Sequence, residues 1–107
     1  MTLSTHVLDV AAGAPAAGVP VRLEVRRDDG WVEVSAGLTD ADGRLRDWVP
    51  AASWVAGTYR LVFDTAAYQG AGAFFPEVAL VFVAEGPGPL HVPLLLSPFG
   101  YTTYRGS

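Results

Sequence analysis

Twelve glycines and eight prolines recur along all 107 residues, and this punctuation constrains the fold more than any other feature. Both residue types interrupt regular structure, glycine through excess backbone freedom and proline through a fixed φ and a missing N–H. The pieces left between the breaks are short, and their hydrophobic period is two. Val21, Leu23 and Val25 alternate with Arg22, Glu24 and Arg26, the pattern of a strand with one face buried and one wet. Asp28-Asp29-Gly30 follows, containing the Asp-Gly pair that hairpin turns favour. Trp31 to Thr39 then repeats the alternation, with Val32, Val34 and Ala36 against Glu33 and Ser35. A hairpin is expected there.

Six more strands are expected: Thr5 to Val10, Leu45 to Val49, Thr58 to Asp64, Val78 to Ala84, Leu90 to Leu96 and Tyr101 to Arg105. Val78 to Ala84 is apolar throughout and rich in valine, which predicts a strand covered on both faces. Pro93 cannot donate to a ladder, so it must sit at an unpaired edge or a bulge. Asp64-Thr65 offers an N-cap for a short helix over Ala66 to Gly70. Eight short strands and one small helix predict an all-β sandwich of two sheets.

The length fits one domain over residues 1–107. Half the residues are hydrophobic and 17% are charged, enough apolar surface to offset the entropy of ordering and exclude a disordered chain. Seven arginines and no lysine stand against eleven acids, for a net charge of −4. That balance argues against nucleic acid as a partner. With no cysteine, disulfides, thiolate metal sites and a cysteine nucleophile are excluded. No window approaches the roughly 20 apolar residues of a membrane-spanning helix. Met1 to His6 has no positive leader region, and no hydrophobic segment precedes the small residues of Ala11 to Gly18. The expectation is a cytoplasmic chain. Residues 88–104 hold His91 but no acid or lysine. Together with a positive mean hydropathy, this predicts an end covered by another copy of the chain.

Only His6 and His91 represent the one side chain that titrates near neutrality without help. Spacing alone leaves each between packing and general-base work, and favours packing. Two histidines without His-x-Glu or His-x-x-x-His spacing do not make a metal site. Arg44, after the Asp40-Ala41-Asp42-Gly43 turn, has a fork of donors suited to a planar oxygen- and nitrogen-bearing ligand, though the turn alone favours a solvated arginine. The tail Tyr101-Thr102-Thr103-Tyr104-Arg105-Gly106-Ser107 stays aromatic where chain ends are usually polar and frayed. A strand packing its rings into an interface explains that feature, and so does a site. There is no Gly-x-Ser-x-Gly elbow, and Gly86-x-Gly88 lacks the third glycine of a dinucleotide loop.

Several segments together resemble the transthyretin-related family, in its urate-degrading branch. They are Leu3-Ser4-Thr5-His6-Val7-Leu8-Asp9, Pro15-Ala16-Ala17-Gly18-Val19-Pro20-Val21, Thr39-Asp40-Ala41-Asp42-Gly43-Arg44, Phe75-Pro76-Glu77-Val78, His91-Val92-Pro93-Leu94-Leu95-Leu96-Ser97-Pro98 and the ending Tyr104-Arg105-Gly106-Ser107. The resemblance covers essentially the whole chain. It implies a transthyretin-like (prealbumin-like) β-sandwich of two four-stranded sheets with one short helix. It implies a homotetramer, a dimer of dimers, with sites in a channel where dimers meet. The implied reaction hydrolyses a cyclic amide of 5-hydroxyisourate to give 2-oxo-4-hydroxy-4-carboxy-5-ureidoimidazoline, without cofactor or metal. By the same resemblance His6, Arg44 and His91 are catalytic, and His6, Arg44, Tyr104 and Ser107 bind the substrate. Where relatives often carry His-Tyr-His, this chain has Pro89-Leu90-His91. A carrier without catalysis and a purely structural module are the alternatives.

Overall fold

The computed structural model describes residues 2–107. Ten strand segments alternate with turns: β1 (Leu3–Asp9), β2 (Ala14–Pro15), β3 (Pro20–Arg27), β4 (Gly30–Leu38), β5 (Arg44–Leu45), β6 (Gly57–Phe63), β7 (Val78–Ala84), β8 (Leu90–His91), β9 (Leu94–Ser97) and β10 (Gly100–Thr103). A 3₁₀ turn (Ala51–Ser53) and one helix, α1 (Thr65–Gln69), complete the set. The Asp64 side chain caps α1 by accepting from the Ala67 N–H at 3.1 Å, as the sequence predicts.

One sheet runs β4-β3-β6-β7, antiparallel throughout. The other is built around β1. On one side β8 and β9 pair with β1 in parallel and in a single register, Leu3↔Leu90 and Ser4↔His91 continuing as Val7↔Leu94. They are one strand interrupted at Val92-Pro93, where the proline has no N–H to give. On the other side β5 and β2 pair antiparallel with β1, His6 opposite Arg44 and Leu8 opposite Pro15. With β10 outside β9, this sheet is four strands wide, as expected, although it contains six segments.

The core lies between the sheets. Val21, Leu23 and Val25 of β3 and Tyr59, Leu61 and Phe63 of β6 meet Leu3 and Val7 of β1 and Leu94 and Leu96 of β9, with Trp54 closing one end. Every strand residue among these sits at the inward phase of the two-residue period. Truncating one of the fully buried leucines to alanine costs about 2–5 kcal/mol in such a setting.

Several local expectations need correction. The turn between β3 and β4 is Asp28-Asp29, because Arg27 pairs with Gly30. Asp28 takes the left-handed conformation (φ 55°), which a short polar side chain tolerates, and Gly30 already belongs to β4. The alternation in β4 breaks where the register shifts between Leu23 and Glu24. That β-bulge leaves Val34 without an opposite residue and changes which face the next residues occupy. The strand expected over Leu45 to Val49 pairs only at Arg44–Leu45, and the last strand ends at Thr103. β7 is not covered on both faces. It is the sheet's edge, and Val81 and Val83 are 59% and 67% exposed in the single chain.

Candidate active site

β1 separates two jobs by residue parity. Leu3, Thr5 and Val7 point into the sandwich and are almost fully buried. Ser4 and His6 therefore project from the outer face, where both are half-buried. Register then brings the partners: Arg44 stands beside His6 across the antiparallel ladder, and His91 beside Ser4 across the parallel one. Four residues from three separate segments thus emerge on the same face of one sheet.

The turn before Arg44 is held by its own side chain. Asp40 Oδ1 accepts from the backbone N–H groups of Asp42 (2.8 Å) and Arg44 (3.0 Å), the local capping for which aspartate is favoured in turns. The Arg44 N–H bond is the largest of the effects that hold the Asp40 carboxyl below the usual carboxylate range, joined by the Asp42 N–H and the Arg46 and Arg44 charges against the opposing effect of burial. Gly43 is left-handed (φ 75°), and a Cβ there would run into the Val7 carbonyl oxygen. Only glycine lets the turn close on β1 and bring Arg44 into register. The Arg44 guanidinium has no ion-pair partner among the described residues.

The two imidazoles are anchored through different nitrogens. His6 Nε2 lies 2.9 Å from the Asp42 carbonyl oxygen. A carbonyl only accepts, so Nε2 carries the proton and the neutral ring keeps its lone pair on Nδ1. His91 is held by Nδ1, 2.9 Å from Ser4 Oγ, which leaves Nε2 as its outward nitrogen. Burial pushes the His91 imidazole below its ordinary range. The nearby charges of His6 and Arg44 push it the same way, and a backbone hydrogen bond at Ser4 opposes them. A half-buried imidazole kept neutral near pH 7 can accept a proton.

The tail turns back onto this face. After β10 the chain leaves the sheet, and Gly106 donates its N–H to the His91 carbonyl at 2.8 Å. A Cβ at Gly106 would lie 2.5 Å from His91 Cδ2, so the glycine backbone packs flat against the ring. Ser107 therefore begins beside His91. Tyr104 follows β10 and is exposed. It lines a hollow of about 400 Å³ with Trp54, Leu80, Phe82 and Arg105, and this hollow includes none of His6, Arg44 or His91. Among the described residues no cluster of three or more metal-ligating side chains forms, and no helix is long and apolar enough to cross a membrane.

Ser4, the Asp42 carbonyl and Gly106 were not singled out by spacing. The period-two phase of Ser4-Thr5-His6 was the available signal for the first.

Taken together, the sandwich and its histidine–arginine face define a transthyretin-like protein equipped with acid–base groups. A model of the HIUase/Transthyretin family matches residues 3–106, and the chain belongs to that family. It is 44% identical to the 5-hydroxyisourate hydrolase of Salmonella typhimurium, an alignment covering 98% of this chain and 80% of that one. Among solved structures, 5-hydroxyisourate hydrolase of Klebsiella pneumoniae superposes over the full length of both chains with a TM-score of 0.81 and 37% identity. Sea bream transthyretin in complex with thyroxine superposes with a TM-score of 0.91 and 37% identity, over 99% of this chain and 95% of that one.

Proposed function

We propose that this chain, acting as one domain, hydrolyses 5-hydroxyisourate to 2-oxo-4-hydroxy-4-carboxy-5-ureidoimidazoline. The observation that carries the reading is the meeting of His6, Arg44 and His91 on the outer face of the β1 sheet, in a chain whose relatives bear that hydrolase name.

Water is a poor nucleophile at neutral pH, and its attack on a ring carbonyl needs a base. His91 takes that role through Nε2: it removes a proton from water as the new C–O bond forms. The carbonyl oxygen gains negative charge, and the unpaired Arg44 guanidinium stabilises it more in the transition state than in the ground state. As the intermediate collapses, the ring C–N bond breaks and the leaving nitrogen takes the proton from the His91 imidazolium. His6 binds or polarises the substrate. Tyr104, through its hydroxyl and backbone, and Ser107, through its hydroxyl or terminal carboxylate, orient ring or water. No step requires a metal or cofactor.

The face is open in a single chain, so the same reading includes a homotetramer, a dimer of dimers, whose assembly encloses the site. The exposed apolar residues Val81 and Val83 of edge strand β7 and Phe99 before β10 support an interface. A cysteine-free chain needs no oxidising compartment to fold, which is consistent with the cytoplasmic location included here.

The test is the ultraviolet decay of enzymatically generated 5-hydroxyisourate with and without the protein. The substrate also decays unaided, so acceleration is the readout. Carriage of a small ligand is the second reading, drawn from the thyroxine-bound sea bream neighbour. It predicts binding without acceleration.

A further inference from the structure

We infer that Ser4 is a positioning residue for the proposed hydrolysis, fixing through its hydroxyl which nitrogen of His91 faces the substrate. The inference rests on the proposed role of His91 as base and goes beyond it by assigning what orients the ring.

Three observations carry it. The parallel register sets Ser4 directly beside His91, and the Val92 N–H donates to the Ser4 carbonyl at 3.0 Å, so the backbone fixes the pairing before any side chain acts. Ser4 Oγ lies 2.9 Å from His91 Nδ1, and this is its only hydrogen-bond partner among the described residues. Gly106 packs against the ring from the tail, which limits its rotation. With Nδ1 occupied and the ring wedged, Nε2 is the nitrogen left to meet a ligand.

The hydroxyl is chemically suited to this task. A base working at Nε2 needs its proton on Nδ1, with an acceptor there in both the neutral ring and the imidazolium. Ser4 Oγ can accept that N–H throughout the cycle. A carboxylate in the same place would hold the imidazolium more tightly and delay return of the proton to the leaving nitrogen. The neighbouring charges that act on the ring are His6 on β1 and Arg44 on β5, and both oppose protonation. The backbone at Ser4 opposes burial and those two neighbours, and the Ser4 hydroxyl, 2.9 Å from Nδ1, adds an acceptor for its proton. Misplacing a catalytic group by about 1 Å can cost roughly 10²-fold in rate.

The experiment compares Ser4→Ala and Ser4→Thr with the wild type in the full chain. Turnover is followed across pH, and the His91 tautomer is read from ring ¹⁵N shifts. Ser4→Ala is expected to lower kcat about tenfold with little change in KM. It should also shift the acid limb of the profile to lower pH and move the Nδ1 proton signal of His91. Ser4→Thr restores all three, and Ser4→Ala adds nothing in a His91→Asn background. Unchanged His91 ring shifts in Ser4→Ala would overturn the inference, as would a kcat loss that threonine does not rescue. The ring shifts are measured without substrate. An absence of acceleration by the wild type therefore overturns the hydrolysis, while unmoved shifts overturn the positioning.

Discussion

The outer faces of the two sheets handle charge in opposite ways. On the β4-β3-β6-β7 sheet, charges answer one another. Glu24 accepts from Arg60 Nε at 2.7 Å and from Arg22 Nε at 3.2 Å, and Arg60 and Arg26 lie over the Trp31 ring at 4.5 and 5.3 Å. Burial raises the Glu24 carboxyl, but the hydrogen bonds and charges of Arg60 and Arg22 outweigh it and hold the carboxyl below its usual range. On the β1 sheet, among the described residues, the Arg44 guanidinium has no ion-pair partner although the Asp40 carboxylate binds its backbone N–H, and each imidazole keeps one nitrogen without a protein partner. A folded chain tends to satisfy its half-buried polar groups. On the proposed reading, the groups without protein partners are those a substrate meets, whereas the paired charges of the other face serve stability.

That contrast can be broken by substitution. Arg44→Ala should have the largest effect, lowering kcat by roughly 10²–10³-fold as loss of an oxyanion donor does, with little change in melting temperature. A large drop in stability with normal activity per folded molecule would place Arg44 among the structural charges. His91→Asn should lower turnover by about 10²-fold, and near-wild-type turnover would remove it as the base. In the wild type, the depressed His91 pKa keeps the base neutral to below the ordinary imidazole value near 6.5, so activity should persist through that pH and fall on further acidification. Stability follows the same sign. The unfolded chain binds the proton more readily, so the His91 contribution declines as pH falls through 6.5 toward the lower folded value.

Gly106→Ala should reduce kcat about tenfold by displacing the His91 ring, while the core and melting temperature stay close to wild type. Glu24→Gln has the smallest expected effect. It should leave turnover unchanged and cost about 1 kcal/mol of stability, discounted for the partial exposure of Arg22 and Arg60. That loss belongs to neutral pH and fades as acid protonates Glu24 in the wild type, which chemical denaturation at two pH values would reveal.

Much of this was legible in the sequence because it is local. The alternation of Val21, Leu23 and Val25, the cap at Asp64, the Asp-Gly turn before Arg44 and the break at Pro93 each follow from a few neighbouring residues. What escaped is non-local. The bulge opposite Leu23 leaves no periodic mark, and nothing within Val78 to Ala84 says that it will lie at an edge. Ser4 and His91 meet through a parallel register across 87 positions, invisible to spacing. The three central site residues were named through family resemblance, since spacing favoured packing for the histidines.

The parity of β1 makes shape and chemistry separately editable. Leu3, Thr5 and Val7 hold the strand in place, while Ser4 and His6 form its outward side, so alternate letters of one short word can be rewritten without touching the others. Exchanging the even positions and the partners they meet would give the same scaffold a different occupation, with each set of changes contributing its effect independently.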